Sequence, residues 1–340
     1  PMGKKAFTKT EIKVEQVPVS YTNLKNYDIN RTYKGFDLVT GVKLGLSEEL
    51  ASVMKKDGEN YFAKYSLEVK LPRAAQTLEE LEIATPSLSK ILPGIPTMLE
   101  DAEVSDFYHS VYRNKVDRLK KSLTQLDTLL TTHNLFDTQT ILNLTHPETG
   151  RKILLAQSEM DVVTDGSDGD RLPVMPLENV QSPYYQYSTS WWWKKVTDRK
   201  NPMIDGFKHR IGNANREIAS GEASPERVEW LEERKEMLNR QIEEASVHSF
   251  LLAEYDPFIV MPTQMIVDRE DSHSPRAGDY AAVIYRDTIY PCIVGDAGPT
   301  YKMGEASLRM AKQLNEKANK NSRPVSDLTV TYIVFSQSRG

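Results

Sequence analysis

The chain has 340 residues, 39% of them hydrophobic and 27% charged, with a formal net charge of -5. That length allows two domains, or one domain with a large insertion, and the acidic balance speaks against a general nucleic-acid binder while suiting a cationic substrate. Cys292 is the single cysteine, which excludes an internal disulfide, a cysteine zinc cluster and a redox pair.

Residues 1–32 are polar, rich in Lys, Thr and Asn, and are expected to form a flexible arm. The start at Pro1-Met2-Gly3-Lys4-Lys5 lacks the apolar stretch of a signal peptide. A secreted or periplasmic protein that has lost its leader is the expectation, with a cytoplasmic one as the alternative. No apolar run approaches the roughly 20 residues of a membrane helix, so no membrane span is expected.

A helix-rich region is expected over 33–135. Leu46 to Met54 fits a short helix capped by Ser47, and Tyr65 to Leu71 alternates as a half-buried strand does. Thr77-Leu78-Glu79-Glu80 is a capping box, after which Pro86, Pro93 and Pro96 break an apolar run into turns. Val116, Leu119, Leu123, Leu126 and Leu130 recur at spacings of three and four, predicting one long amphipathic helix over 105–132.

A barrel core is expected over 136–340. Thr140–Leu144 and Lys152–Ala156 flank a His146–Gly150 turn as a β-hairpin. The acidic run Glu159 to Arg171 follows. It admits three readings: a calcium loop, a turn displaying carboxylates into a cleft, or a solvated acidic turn. The EF-hand order is not met. Tyr184, Tyr185, Tyr187, Trp191, Trp192 and Trp193 then crowd into ten positions, and three consecutive Trp cannot all point inward.

Ile204, Phe207, Ile211, Ala214 and Ile218 keep helical spacing, as do Val228, Leu231, Leu238, Ile242 and Ala245. Ser220-Gly221-Glu222-Ala223-Ser224-Pro225 supplies the stop and restart. The prediction is a helical hairpin inserted at about 202–246 and packed beside the 105–132 helix. Apolar segments at 249–253, 257–261, 280–294 and 328–335 supply further strands, giving an α+β chain with a barrel and outlying helices. Ala306 to Glu316 is predicted to be a helix.

The stretch Val294 to Ser307 sets Asp296 and Glu305 on either side of a glycine-containing turn. Two such carboxyls are what a glycosidase needs, one to protonate the leaving oxygen and one to activate water or attack the sugar. Asp before Gly, and Glu near a helix start, are also ordinary turn and helix-end chemistry.

Three features resemble the fungal-type chitosanases of glycoside hydrolase family 75. Met160-Asp161-Val162 followed by Asp165-Gly166 is similar to the family's Met-Asp-(Ile/Val)-Asp-rich loop. Tyr280–Tyr285 and Ile289-Tyr290 look like its exposed-turn hairpin. Gly295-Asp296 is followed nine residues later by Gly304-Glu305-Ala306-Ser307. The resemblance covers about 136–340 without the helical hairpin.

It implies a six-stranded double-psi β-barrel and endo-hydrolysis of chitosan with inversion, catalysed by Asp296 and Glu305. Asp161 matches the family's acidic loop as a substrate-side contact. The chain departs from the family's Phe-Gly-Asp-Thr-Asn-Gly at Val294-Gly295-Asp296-Ala297-Gly298-Pro299. With the pair so assigned, Asp161, Asp165 and Asp168 are candidates to face the ammonium groups of a cationic amino-sugar polymer. Tyr185, Trp192 and Tyr301 are candidates to stack on its rings. No cofactor and no metal are expected. A second enzymatic reading changes the polymer to peptidoglycan or another amino-sugar polymer. A third keeps the fold as a glycan-binding or assembly protein without turnover.

Overall fold

The computed structural model of the protein describes Ser52 and residues 71–122, 135–171, 175–182 and 185–338. The expected arm, the 46–54 helix and the 65–71 strand lie outside these residues, save Ser52 and Leu71. The chain divides into two compact units, one of residues 1–71 and 116–134, the other of 72–115 and 135–340. Of the first unit little beyond residues 116–122 is described, and these are helical.

In the second unit three short helices come first: α1 (Leu78–Ala84), α2 (Leu88–Ile91) and α3 (Ile95–Leu99). The capping box holds. The Thr77 side chain accepts the Glu80 N–H, and the Glu80 side chain accepts the N–H of Thr77. Pro96 sits in the first turn of α3, where its missing N–H costs nothing. The prolines therefore start and separate helices, not turns alone. Strand β1 (Glu103–Val104) leads into α4 (Asp106–Ser122), which falls within the predicted 105–132 helix and whose Phe107, Tyr108, Val111 and Tyr112 enter the main core; residues 123–132 lie outside the described residues.

The hairpin strands β2 (Thr138–Thr145) and β3 (Lys152–Val163) pair antiparallel. Residues 153–160 of β3 are buried on both faces. Leu154, Ala156 and Met160 face the main core with Ile259, Val283, Val294 and Tyr332. Ile153 and Leu155 face the opposite way, against Leu81, Leu88 and Ile95 of the short helices. The period of two thus serves two cores at once.

The remaining barrel strands are β6 (Phe258–Pro262), β7 (Tyr280–Tyr285), β8 (Thr288–Gly298), β9 (Glu305–Ser307) and β10 (Val325–Phe335). The order β3-β10-β7-β8-β6-β9, with β9 returning to β3, closes a six-stranded barrel. Pairs β3–β9 and β6–β8 are parallel and the other four antiparallel. Two of the three residues of β9, Ala306 and Ser307, fall where the sequence predicts the start of a helix. That helix begins only at Leu308, as α8 (Leu308–Leu314), with the Ser307 side chain accepting the Met310 N–H as its cap.

Between β3 and β6 lie α5 (Leu177–Gln181), the strand pair β4 (Trp192–Lys194) and β5 (His248–Phe250), and the two long helices α6 (Met203–Ala219) and α7 (Pro225–Val247). Residue 249 therefore pairs in a two-stranded sheet, not in the barrel. Ser224 caps α7 by accepting the Arg227 N–H, and Pro225 stands in its first turn. The packing expected beside the 105–132 helix involves residues 123–132, which lie outside the described residues, and the two helices pack on each other and on Val180, Tyr187 and Phe250. Gly206 permits this approach, since a Cβ there would lie 1.8 Å from the Val180 carbonyl oxygen. Among the described residues no helix is long and apolar enough to cross a membrane.

Candidate active site

Four adjacent strands carry one row of residues across the barrel wall. Asp161 on β3 is opposite Glu305 on β9, Glu305 is opposite Val260 on β6, and Val260 is opposite Asp296 on β8. Residues directly opposite in a sheet project on the same face, so the three carboxylates share one side of the wall. Two strand spacings separate Asp296 from Glu305, roughly 10 Å between Cα atoms.

A bulge in β8 produces this alignment. Ile259 is opposite Val294 but Val260 is opposite Asp296, so Gly295 is the extra residue. Bulges re-aim the side chain that follows them. A side chain at 295 is impossible without rearrangement, because its Cβ would lie 2.5 Å from the Phe258 ring.

Each member of the pair has one oxygen held and one presented. Oδ1 of Asp296 accepts the Ser190 N–H (2.9 Å), the Ser190 hydroxyl (2.8 Å) and the Ala297 N–H (2.9 Å), while Oδ2 takes no hydrogen bond among the described residues. Oε1 of Glu305 accepts from Lys302 Nζ at 2.7 Å. Its Oε2 points to the other side, where a Cβ on Gly298 would approach it to 2.7 Å. Burial raises the Asp296 carboxyl above the usual range. The Ser190 and Ala297 donors oppose that rise, and the Glu305 charge adds to it.

Lys302 Nζ also donates to Asp161 Oδ2 at 2.6 Å. Burial works against its charge, but Glu305 and Asp161 outweigh burial and hold the ammonium above its ordinary pKa. Burial likewise opposes the Asp161 charge, and Lys302 and Arg323 outweigh it, so that carboxyl titrates below its ordinary value. Asp165 sits two residues beyond β3. Burial and the Asp296 charge push it up to about 6, partly offset by a Gln186 N–H, with Glu305 adding to the rise.

The other predicted residues divide. Tyr185 is half-buried near Asp165, and its hydroxyl donates to the Gly166 carbonyl at 2.8 Å. Trp192 is 49% exposed on β4, two residues beyond Ser190, its ring 4.3 Å from that of His248. Tyr301 is half-buried in the turn that delivers Lys302.

Asp168 is not brought to the row. It is fully buried, accepts the N–H groups of Asp170 and Arg171, and pairs with the Arg171 guanidinium. Asp170 is likewise spent on Trp193, Thr197 and Ser249. The acidic run is thus divided between the row and the loop's own scaffold. Among the described residues no group of three or more His, Cys, Asp or Glu side chains is placed to hold a metal ion. Sequence reasoning did not find Lys302, Ser190 or Arg323. Lys302 stands three residues before Glu305 and was visible in principle, whereas Ser190 lies 106 residues from Asp296 and carried no signal.

The chemistry such a row supports is acid–base catalysis: a carboxyl whose pKa is raised, and a carboxylate oriented by a cation. The model of a protein family described as "Fungal chitosanase of glycosyl hydrolase group 75" matches residues 160–340. A search of curated proteins finds no match to the chain.

Proposed function

The chain belongs to the fungal chitosanase family of glycosyl hydrolase group 75 and is a glycoside hydrolase, and from that premise we propose an endo-acting, inverting chitosanase whose catalytic pair is Asp296 and Glu305. Glu305 is the base that takes a proton from the attacking water, and Asp296 is the acid that gives one to the leaving glycosidic oxygen. The observation that carries this reading is the shared row of Asp296 and Glu305 on either side of Val260. A Cα separation of roughly 10 Å, with both side chains reaching into the same space, suits the roughly 6.5–9.5 Å between carboxyls that inversion requires. The raised Asp296 carboxyl suits an acid. Asp161 and Asp165 supply negative potential toward the ammonium groups of the polymer, and Tyr185, Trp192 and Tyr301 supply ring faces.

The barrel is read as double-psi, with its two parallel strand pairs as support, and the α6–α7 pair as an insertion at about 202–246. A polymer too large to enter a cell places the activity outside the cytoplasm. The test is release of reducing ends from chitosan, together with loss of viscosity, which an endo-enzyme causes early. Asp296→Asn and Glu305→Gln are each expected to lower kcat by about 10²–10⁴-fold. Wild-type turnover in either variant would remove that residue from the pair, and turnover of peptidoglycan in preference to chitosan would change the substrate.

A further inference from the structure

Lys302 is a largely buried cation held between two carboxylates. Its side chain is 15% exposed, and it bridges Asp161 and Glu305, two residues that are direct neighbours on β3 and β9. Behind Asp161 the alternation of charge continues inward. Arg323 stands 3.4 Å from Asp161 and 3.3 Å from Glu159, and both Arg323 and Glu159 are buried. The series Glu159, Arg323, Asp161, Lys302, Glu305 is therefore a continuous chain of alternating charge, each member paired with the next.

We propose that Lys302 is a positioning residue, which pins one oxygen of Glu305 so that the other is presented to the attacking water. The inference rests on the reading of Glu305 as the base. A free Glu side chain has three torsions and loses rotamer freedom when it is fixed. Lys302 imposes that order before substrate arrives. It holds Oε1 on the β3 side and leaves Oε2 toward Gly298 and Val260, the side on which Asp296 lies. Asp161 then acts through Lys302. It keeps the ammonium from swinging away, and Arg323 keeps Asp161 in place.

Lys302→Met is expected to lower kcat on chitosan by about tenfold to a hundredfold with KM within about twofold, the size of effect that an ångström of misplacement produces. Lys302→Arg should recover part of the loss, since a guanidinium can also bridge two carboxylates. Because Lys302→Met leaves two carboxylates facing each other, Asp161→Asn/Lys302→Met is measured beside it. That pair relieves the repulsion and should fold, yet still show the low kcat. Wild-type kcat in folded Lys302→Met or in the double variant, or a loss confined to KM, would overturn the proposal. Asp296→Asn and Glu305→Gln serve as controls. If they are inactive while Lys302→Met is not, only the role of Lys302 fails. If Glu305→Gln is active, the underlying assignment fails and Lys302 with it.

Discussion

Burial and the charges of Asp296 and Glu305 set the Asp165 carboxyl at about 6, above the 3.8 of an unfolded chain. The folded state therefore binds this proton more tightly than the unfolded state does. Its contribution to stability is fully present below pH 3.8 and is lost as pH rises through about 6. At 1.36 kcal/mol per pKa unit the loss comes to roughly 2–3 kcal/mol. Asp165→Asn, which does not titrate, should remove it. Urea unfolding of the two proteins at pH 4 and pH 7 should show the wild type losing roughly 2–3 kcal/mol more than the variant between these values. Parallel pH profiles would mean that Asp165 titrates as it does in the unfolded chain. A carboxyl that costs stability at neutral pH is what a site gives up to keep acids close together.

At the scale of elements, β8 and β9 show what local sequence carries. Asp296 and Glu305 stand nine residues apart, each beside a glycine, and their proximity was legible because one turn joins them. The row they share with Asp161 was not, since it depends on β9 pairing with β3 some 140 positions away. The same long-range pairing takes Ala306 and Ser307 out of the predicted helix. Asp168 misled for the opposite reason. Three residues later stands Arg171, and a carboxylate that captures its own loop has none to offer a cleft.

Gly298 ties β8 to the chemistry, because the space a Cβ would fill there is taken by the Glu305 carboxylate. Added bulk there would meet Glu305 Oε2 at 2.7 Å and Val260 Cγ1 at 2.8 Å. The carboxylate of Glu305, at the end of a longer side chain than that of Val260, would be displaced from its place beside Lys302. Gly298→Ala should therefore lower kcat about tenfold or more with little change in unfolding midpoint. Unchanged kcat would show that the space beside Oε2 is not used.

For the second unit as a whole, the sequence placed a boundary near residue 136, because everything resembling a family lay beyond it. The core does not respect that boundary. Leu142, Leu144, Ile153, Leu155, Ile284 and Ile333 turn one face of the barrel sheet toward Leu81, Leu88 and Ile95, which belong to α1, α2 and α3. Lys115 on α4 pairs with the buried Asp137, against a burial that by itself drives the lysine pKa down. A fragment of residues 136–340 would lose both. Each buried Leu or Ile contributes about 1.5–3 kcal/mol, so six of them rival the roughly 5–15 kcal/mol by which a whole domain is stable. The orphaned Asp137 adds a further cost of about 3–5 kcal/mol, since a buried charge without its partner is worse than no charge. The fragment is therefore expected to aggregate or to lack a cooperative thermal transition, while 72–340 with residues 116–134 retained should melt cooperatively. A folded, monomeric 136–340 fragment would show that the barrel face needs no cover, and that α1 to α4 are an addition to the hydrolase and not part of its core.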